Sequence, residues 1–203
     1  MVEIGIVLGS TRPGRNGAAV ARWIAQVCGS HPLVLEGHAR VSSIDVQDFG
    51  LPLLDERTPP LIGAPERAHS RRWAEAMRPL DGFVFVTPEY NHSIPAALKN
   101  AVDFLFHEWN DKAATVVGYG AQGGVRAIEH LRGILAEVKI ATTRAHVALS
   151  LHDDFRFEDP TRTGEFLPRP HQAAELTEAF GEVFEWAAAL ARLREERRSG
   201  GRP

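Results

Sequence analysis

The sequence has one cysteine, no long hydrophobic run and no marked excess of charge. With Cys28 alone among 203 residues, no internal disulfide can form, which suits a reducing compartment. No apolar stretch approaches the roughly 20 residues that span a bilayer. No signal peptide, a charged segment followed by an apolar one, is visible. Lysine and arginine total 23 against 26 acidic residues, which disfavours nonspecific binding of nucleic acid or of a membrane. We therefore expect a cytoplasmic protein.

The composition is that of a globular chain. Hydrophobic residues make up 44% and charged residues 24%, and the length is about that of one average domain. No repeat or linker interrupts it. We predict a single domain over residues 1–197, followed by a flexible tail at 198–203.

Short apolar runs alternate with stretches of helical period along most of the chain. The apolar runs cover residues 4–8, 41–46, 82–87, 113–119 and 145–151. The helical stretches cover residues 17–28, 65–77, 95–106, 124–138 and 170–197. Runs that are apolar throughout are typical of strands buried on both faces, so the alternation predicts a doubly wound α/β fold with a parallel sheet. Long loops at 49–63 and 152–169 are more often functional than idle.

The first strand runs into a small polar loop, GSTRPGRNG at residues 9–17, and then into a helix for which Asn16 is a good N-cap. Free backbone N–H groups and the positive end of the helix make such a turn an anion site. The loop is not a Walker phosphate loop, since Arg15 and Asn16 replace the required lysine and hydroxyl residue. The dinucleotide pattern G-x-G-x-x-G is also absent. We expect a phosphate site without a metal.

Two further loops would share the edge of the sheet where the first loop lies. TPEYNHSIPAALKNAVD, at residues 87–103, follows the third apolar run, and GYGAQGG, at residues 118–124, closes the fourth. Prolines fix the direction of one loop, and glycines let the backbone of the other approach a flat ring. In a doubly wound sheet such loops converge where the strand order reverses.

Together these three segments resemble the NAD(P)H-dependent FMN reductase family, which includes quinone, azo-dye and chromate reductases. The resemblance runs from Val2 to about Leu151. It implies a flavodoxin-like fold, a five-stranded parallel sheet in the order 2-1-3-4-5 with helices on both faces. It also implies FMN as cofactor, NADPH or NADH as hydride donor, and a homodimer or a tetramer.

Matched residue by residue, the resemblance implies two groups of cofactor-binding positions. The phosphate of FMN would be held by Ser10, Arg12, Arg15, Asn16 and Gly17. The isoalloxazine would be lined by Pro88, Glu89, Tyr90, Asn91, Gly118, Tyr119, Gly120, Gly123 and Gly124. Many relatives have serine where this chain has Arg15, so Arg15 would either bind the phosphate or turn toward the pyridine nucleotide. Gly118 also stands where relatives often have serine.

The resemblance implies that the flavin does the chemistry. Its N5 would accept a hydride and pass two electrons to a quinone, azo, nitro or similar small acceptor, or to free flavin. The sequence shows no catalytic triad, no paired carboxylates and no spacing typical of metal ligands, so we assign neither a catalytic side chain nor a metal.

Two questions stay open from the sequence. The main alternative function is a flavodoxin-type FMN electron carrier without NAD(P)H turnover of its own, although a net charge of -3 is mild for a carrier that docks by its acidic surface. His92 would either contact an acceptor or be a surface residue without a functional role. Trp109 would be an aromatic of the interface or acceptor pocket, or an ordinary partly buried tryptophan.

Overall fold

The computed structural model describes residues 1–200, in which strands and helices alternate as predicted. The strands are β1 (Val2–Leu8), β2 (Ala39–Asp45), β3 (Gly82–Pro88), β4 (Lys112–Gly120), β5 (Ile140–Thr142), β6 (Val147–Ser150), β7 (Phe155–Arg156) and β8 (Glu165–Phe166). The helices are α1 (Gly17–Gly29), α2 (Pro32–Leu35), α3 (Ala68–Met77), α4 (Ala96–Asp103), α5 (Val125–Glu137) and α6 (Pro170–Arg198), with a 3-10 helix at Val46–Phe49. Residues 201–203 of the predicted tail lie outside the described residues.

The main sheet is parallel and has the strand order β2-β1-β3-β4-β5. The predicted order is confirmed. β6 lies within the predicted fifth run at residues 145–151, whereas β5 was not predicted. The short strands β5 and β6 pair with the first and the last residues of β4, so the sheet has six strands rather than five. Between them the Thr143 hydroxyl donates to Ala145 O at 2.9 Å and Arg132 donates to Thr143 O at 2.5 Å. Between β5 and β6, these side-chain hydrogen bonds replace part of the backbone hydrogen bonding of the sheet.

Loops differ from the sequence prediction more than strands do. Helix α3 begins at Ala68 rather than at residue 65, because the Glu56 carboxylate accepts the N–H groups of Glu66 and Arg67 at 3.1 and 2.9 Å and holds them in the loop. Helix α2 and the β7–β8 hairpin were not predicted. They are too short for hydrophobic periodicity to reveal.

One face of the sheet packs on α3, α4 and α5 through a cluster of large aromatic side chains. Trp109 is fully buried there, and its indole N–H donates to Val102 O at 3.0 Å. Its ring lies 5.2 Å from that of Phe83 and 6.0 Å from that of Trp73, measured between centroids. Trp109 is therefore a core residue, and its interpretation as an aromatic of an interface or pocket is wrong.

The other face packs on α1 and α6 and includes the buried Cys28. Burial raises the pKa of the Cys28 thiol to about 12, so the residue acts as a small apolar group rather than a reactive thiolate. At the amino edge of the sheet, Lys112 donates to Met77 O at 2.8 Å and completes the end of α3. No helix within residues 1–200 is both long and apolar enough to cross a bilayer.

Candidate functional site

The loop after β1 and the loop after β3 are joined by a hydrogen bond at the carboxyl edge of the sheet. Ser10 is completely buried, and its Oγ lies 3.2 Å from the hydroxyl of Tyr90. The two residues are 80 positions apart in sequence and meet because β1 and β3 are neighbours. The Tyr90 side chain therefore reaches the predicted phosphate loop, whereas the sequence placed this residue only beside the ring.

The amino terminus of α1 has no side-chain cap. Asn16 occupies the predicted N-cap position, but its side chain makes no hydrogen bond to the amides of α1. At Gly17, an added Cβ would lie 2.6 Å from the Tyr119 hydroxyl and 2.8 Å from Leu8, so a side chain from the end of β4 approaches α1 very closely. The uncapped N–H groups and the helix dipole create a positive site suited to an anion.

The two arginines of the first loop face different partners. The Arg15 guanidinium pairs with Asp45 and with Gln47, and its side chain is 14% exposed. Arg15 thus connects the first loop to the end of β2. Arg12 is exposed on the loop, which leaves its guanidinium accessible to an anionic ligand.

Residues 90–93 form a tight turn with left-handed backbone at both central positions. The N–H of Tyr90 donates to Ser93 O at 2.9 Å, and that of Ser93 to Tyr90 O at 3.1 Å. Asn91 has φ 49° and His92 has φ 70°, as a type I′ turn requires. Non-glycine residues in this conformation are strained and cluster at functional sites. The N–H groups of Asn91 and His92 take no part in the bonds of the turn, so they can face a ligand.

The Glu89 carboxylate connects the loop after β3, the second of the three loops, to the start of α5. It accepts the backbone N–H of Arg126 at 3.1 Å and its Nε–H at 2.6 Å. The Arg126 guanidinium also lies 3.0 Å from His92 Nε2, within hydrogen-bond distance. Burial raises the pKa of Glu89, but the hydrogen bonds and charge of Arg126 outweigh burial and hold the pKa below its usual value.

The glycines of the third loop, at residues 118–124, allow close approach of backbone segments. At Gly124, with φ +74°, an added Cβ would lie 2.6 Å from the Tyr119 nitrogen. At Gly120 it would lie 3.1 Å from the Glu89 Cβ. At Gly118 it would lie 2.7 Å from Ile128, so the space that a larger residue would need is filled by α5. Gly123, with φ +72°, packs against Ala148 of β6.

The arrangement fits the phosphate and flat ring of FMN. The first loop presents the uncapped helix terminus and the exposed Arg12. The second loop, joined to it by Tyr90, adds the N–H groups of Asn91 and His92 that the turn does not use. The hydroxyl of Tyr119 is buried and has no hydrogen-bond partner among the described residues, and burial raises its pKa, so it remains a neutral phenol. Within residues 1–200, no three histidine, cysteine or acidic side chains are grouped so as to hold a metal ion.

Sequence reasoning missed two residues of this region, Arg126 and Gly164. Arg126 had a signal, because a positive side chain in the first turn of a helix opposes the helix dipole and so requires an acidic partner. Gly164 had none. Its N–H donates to Asn16 Oδ1 at 2.9 Å across 148 positions of sequence.

Comparison with known proteins decides the family. The sequence model described as NADPH-dependent FMN reductase matches residues 2–154, which include all three loops. The chain belongs to this family. It is accordingly an oxidoreductase with FMN as cofactor and NAD(P)H as hydride donor, as the resemblance implied.

Individual relatives agree with this assignment, and a solved structure agrees with the fold. An NAD(P)H-dependent FMN reductase from Nectria sp. is 36% identical over 71% of this chain and 74% of its own length. A quinone reductase from Escherichia coli is 34% identical over 66% of this chain and 69% of its own. The solved structure of FerB, an NAD(P)H:(acceptor) oxidoreductase flavoenzyme from Paracoccus denitrificans, superposes with a TM-score of 0.70 at 19% identity. It covers 93% of this chain and 98% of that one. The flavodoxin-like fold is confirmed.

A pair of glycine substitutions on α5 and its N-cap tests the close approach at the third loop. Gly124→Ala places a Cβ against backbone at positive φ, so we expect the free energy of unfolding to fall by about 1–3 kcal/mol. At Gly133 nothing lies within 4 Å of an added Cβ. Gly133→Ala in this exposed helical position should instead raise stability by about 0.5–1 kcal/mol. Urea denaturation measures both, and equal effects of the two variants would contradict the interpretation.

Proposed function

We propose that this member of the family reduces a quinone or a similar small acceptor, such as an azo or nitro compound or free flavin. The contact of three loops at one edge of the sheet carries the proposal, because it brings the uncapped terminus of α1 and the strained turn at Asn91 and His92 to one place. The quinone reductase from Escherichia coli supports the acceptor class. When bound, FMN supplies hydride acceptance at N5 and delivery of two electrons.

The first loop holds the phosphate. Ser10 Oγ, the Arg12 guanidinium and the free amides of α1 are donors that converge on one anion, and Asn16 adds its side-chain amide. Arg15 serves a different purpose, because its guanidinium is already paired with Asp45 and Gln47. It holds the loop against β2.

The second and third loops hold the ring. Pro88 ends β3 beside Tyr119 of β4, and this pairing puts the two loops side by side. The free N–H groups of Asn91 and His92 then stabilise negative charge on the ring edge nearest to them. Arg126 holds Glu89 and His92 in place, so the turn keeps its strained shape before a ligand arrives.

The chain forms a homodimer through the loop at residues 51–63. Leu53, Leu61 and Ile62 are 83%, 58% and 75% exposed. The loop is nevertheless anchored at two places. Asn100 of α4 accepts the Leu54 N–H at 2.9 Å and donates to Pro52 O at 2.7 Å. Farther along, His107 Nε2 lies 3.1 Å from Leu61 O. Apolar side chains presented by an ordered loop favour a protein partner.

Reduction by NADPH tests the function. Protein reconstituted with FMN should retain flavin absorbance and bleach directly to the two-electron reduced form on anaerobic addition of NADPH or NADH. With a quinone, double-reciprocal plots should be parallel, because donor and acceptor use the same face in turn. A stabilised semiquinone, or bound flavin that takes no hydride, would instead identify an electron carrier.

The two arginines of the first loop provide a matched test of phosphate binding. Arg12→Ala should raise the Kd for FMN about tenfold or more, as expected for loss of a charge-assisted hydrogen bond. Arg15→Ala should raise this Kd by only about threefold, since it loosens the loop but removes no donor to the ligand. Quenching of flavin fluorescence measures both. A larger effect at Arg15 than at Arg12 would reverse the assignment.

The oligomer is tested by light scattering at micromolar concentration. The chain should show twice the mass of one copy, and the double variant Leu61→Asp/Ile62→Asp should show the mass of one, because charges would be buried without partners. Leu35→Asp is the control, since Leu35 is 73% exposed on α2, away from this loop. A strictly monomeric parent chain would refute the dimer.

A further inference from the structure

The β7–β8 hairpin, residues 155–166, packs against the first loop although it lies beyond the segment that matches the family. Phe166 contacts Trp23 of α1 edge to face, with centroids 5.5 Å apart, and Phe155 with centroids 4.9 Å apart. The hairpin is anchored before and after its strands, because the buried Asp154 accepts the Ser150 N–H at 2.7 Å and pairs with Arg169 at 3.0 Å. It is an ordered neighbour of the predicted phosphate site.

Two adjacent hairpin residues make hydrogen bonds to the first loop. The Thr163 hydroxyl donates to Gly14 O at 3.0 Å, and the Gly164 N–H donates to Asn16 Oδ1 at 2.9 Å. Position 164 requires glycine for the packing of the hairpin itself, since a Cβ there would lie 2.6 Å from the ring of Phe157. These bonds hold the loop at both ends of the segment from Gly14 to Asn16.

The bond from Gly164 decides which end of the Asn16 amide faces the ligand. A backbone N–H can only donate, so the atom that meets it must be the oxygen Oδ1. The amide nitrogen Nδ2 then points away from Gly164 with two hydrogens to donate. Asn16 is 8% exposed, so its side chain has little room to turn over. Its oxygen is also unable to cap α1, which leaves the helix amides free.

We infer that the β7–β8 hairpin orients Asn16 so that Nδ2 donates to the FMN phosphate, which makes Thr163 and Gly164 positioning residues for phosphate recognition. The inference rests on the proposed function of the first loop. Without the hairpin, the Asn16 amide could equally turn its oxygen toward the ligand, and that oxygen repels a phosphate. With the hairpin in place, the loop presents only hydrogen-bond donors. The consequence is selectivity for FMN over riboflavin, which has the same ring and ribityl chain but no phosphate.

Binding of FMN and of riboflavin to three variants tests the inference. Asn16→Asp keeps an oxygen for the Gly164 N–H but replaces Nδ2 with a second oxygen, so the Kd for FMN should rise about 100-fold. Thr163→Val removes one bond from the hairpin to the loop, and the Kd for FMN should rise about threefold to tenfold. For both variants the Kd for riboflavin should stay within about twofold of the parent value.

Thr161→Val is the matched control. The Thr161 hydroxyl bonds to Asp159 at 2.7 Å within the hairpin and makes no contact with the first loop in this network. The affinity of the Thr161→Val variant for FMN should equal that of the parent chain. Quenching of flavin fluorescence gives the constants, and circular dichroism confirms that each variant is folded; if Asn16→Asp is not folded, Thr163→Val decides alone.

The outcomes separate the inference from the function on which it rests. Parent protein that binds neither flavin refutes the proposed function. Parent protein that binds FMN, with Asn16→Asp or Thr163→Val equal to it, overturns the orientation of Asn16 and leaves the function standing. Equal losses of FMN and riboflavin affinity would also overturn it, because they would show a general disturbance of the loop rather than a lost donor to the phosphate.

Discussion

Parallel pairing of β1, β3 and β4 is the constraint on which the site depends. Each strand is paired along its length, so the three loops that follow leave the sheet at the same edge. The hydrogen bond between Ser10 and Tyr90 and the contact of Tyr119 with Gly17 are consequences of this register. A shift of one residue would turn the inward side chains to the opposite face and separate these partners.

Close approach of the backbone and the ion pair of Glu89 with Arg126 give the site its shape. Glycine at position 124 lets the third loop fold back on Tyr119, and Glu89 reaches across to cap α5 while it holds Arg126. Arg126 in turn supports His92 in a strained turn. The shape is thus present before a ligand binds, which lowers the ordering cost of binding.

The β7–β8 hairpin explains why the site needs more of the chain than the three loops. It contacts the first loop through hydrogen bonds to Gly14 and Asn16. Arg15 engages β2 on another side through Asp45 and Gln47. A polar loop would be mobile by itself, and these contacts from two directions hold its donors in place.

The sequence by itself determined the longer buried strands, their alternation with helices and the loops of the candidate site. Continuous apolar runs marked the buried strands, and the residues of GSTRPGRNG and TPEYNHSIPAALKNAVD carried the resemblance to the family. Partners far apart in sequence were decided only by the tertiary structure. The sequence left the role of Arg15 open, gave no sign of Gly164 beside Asn16, and did not place Trp109 in the core. Periodicity reports which residues are buried, but hydrogen-bond partners depend on the distance and direction between segments that only the folded chain brings together.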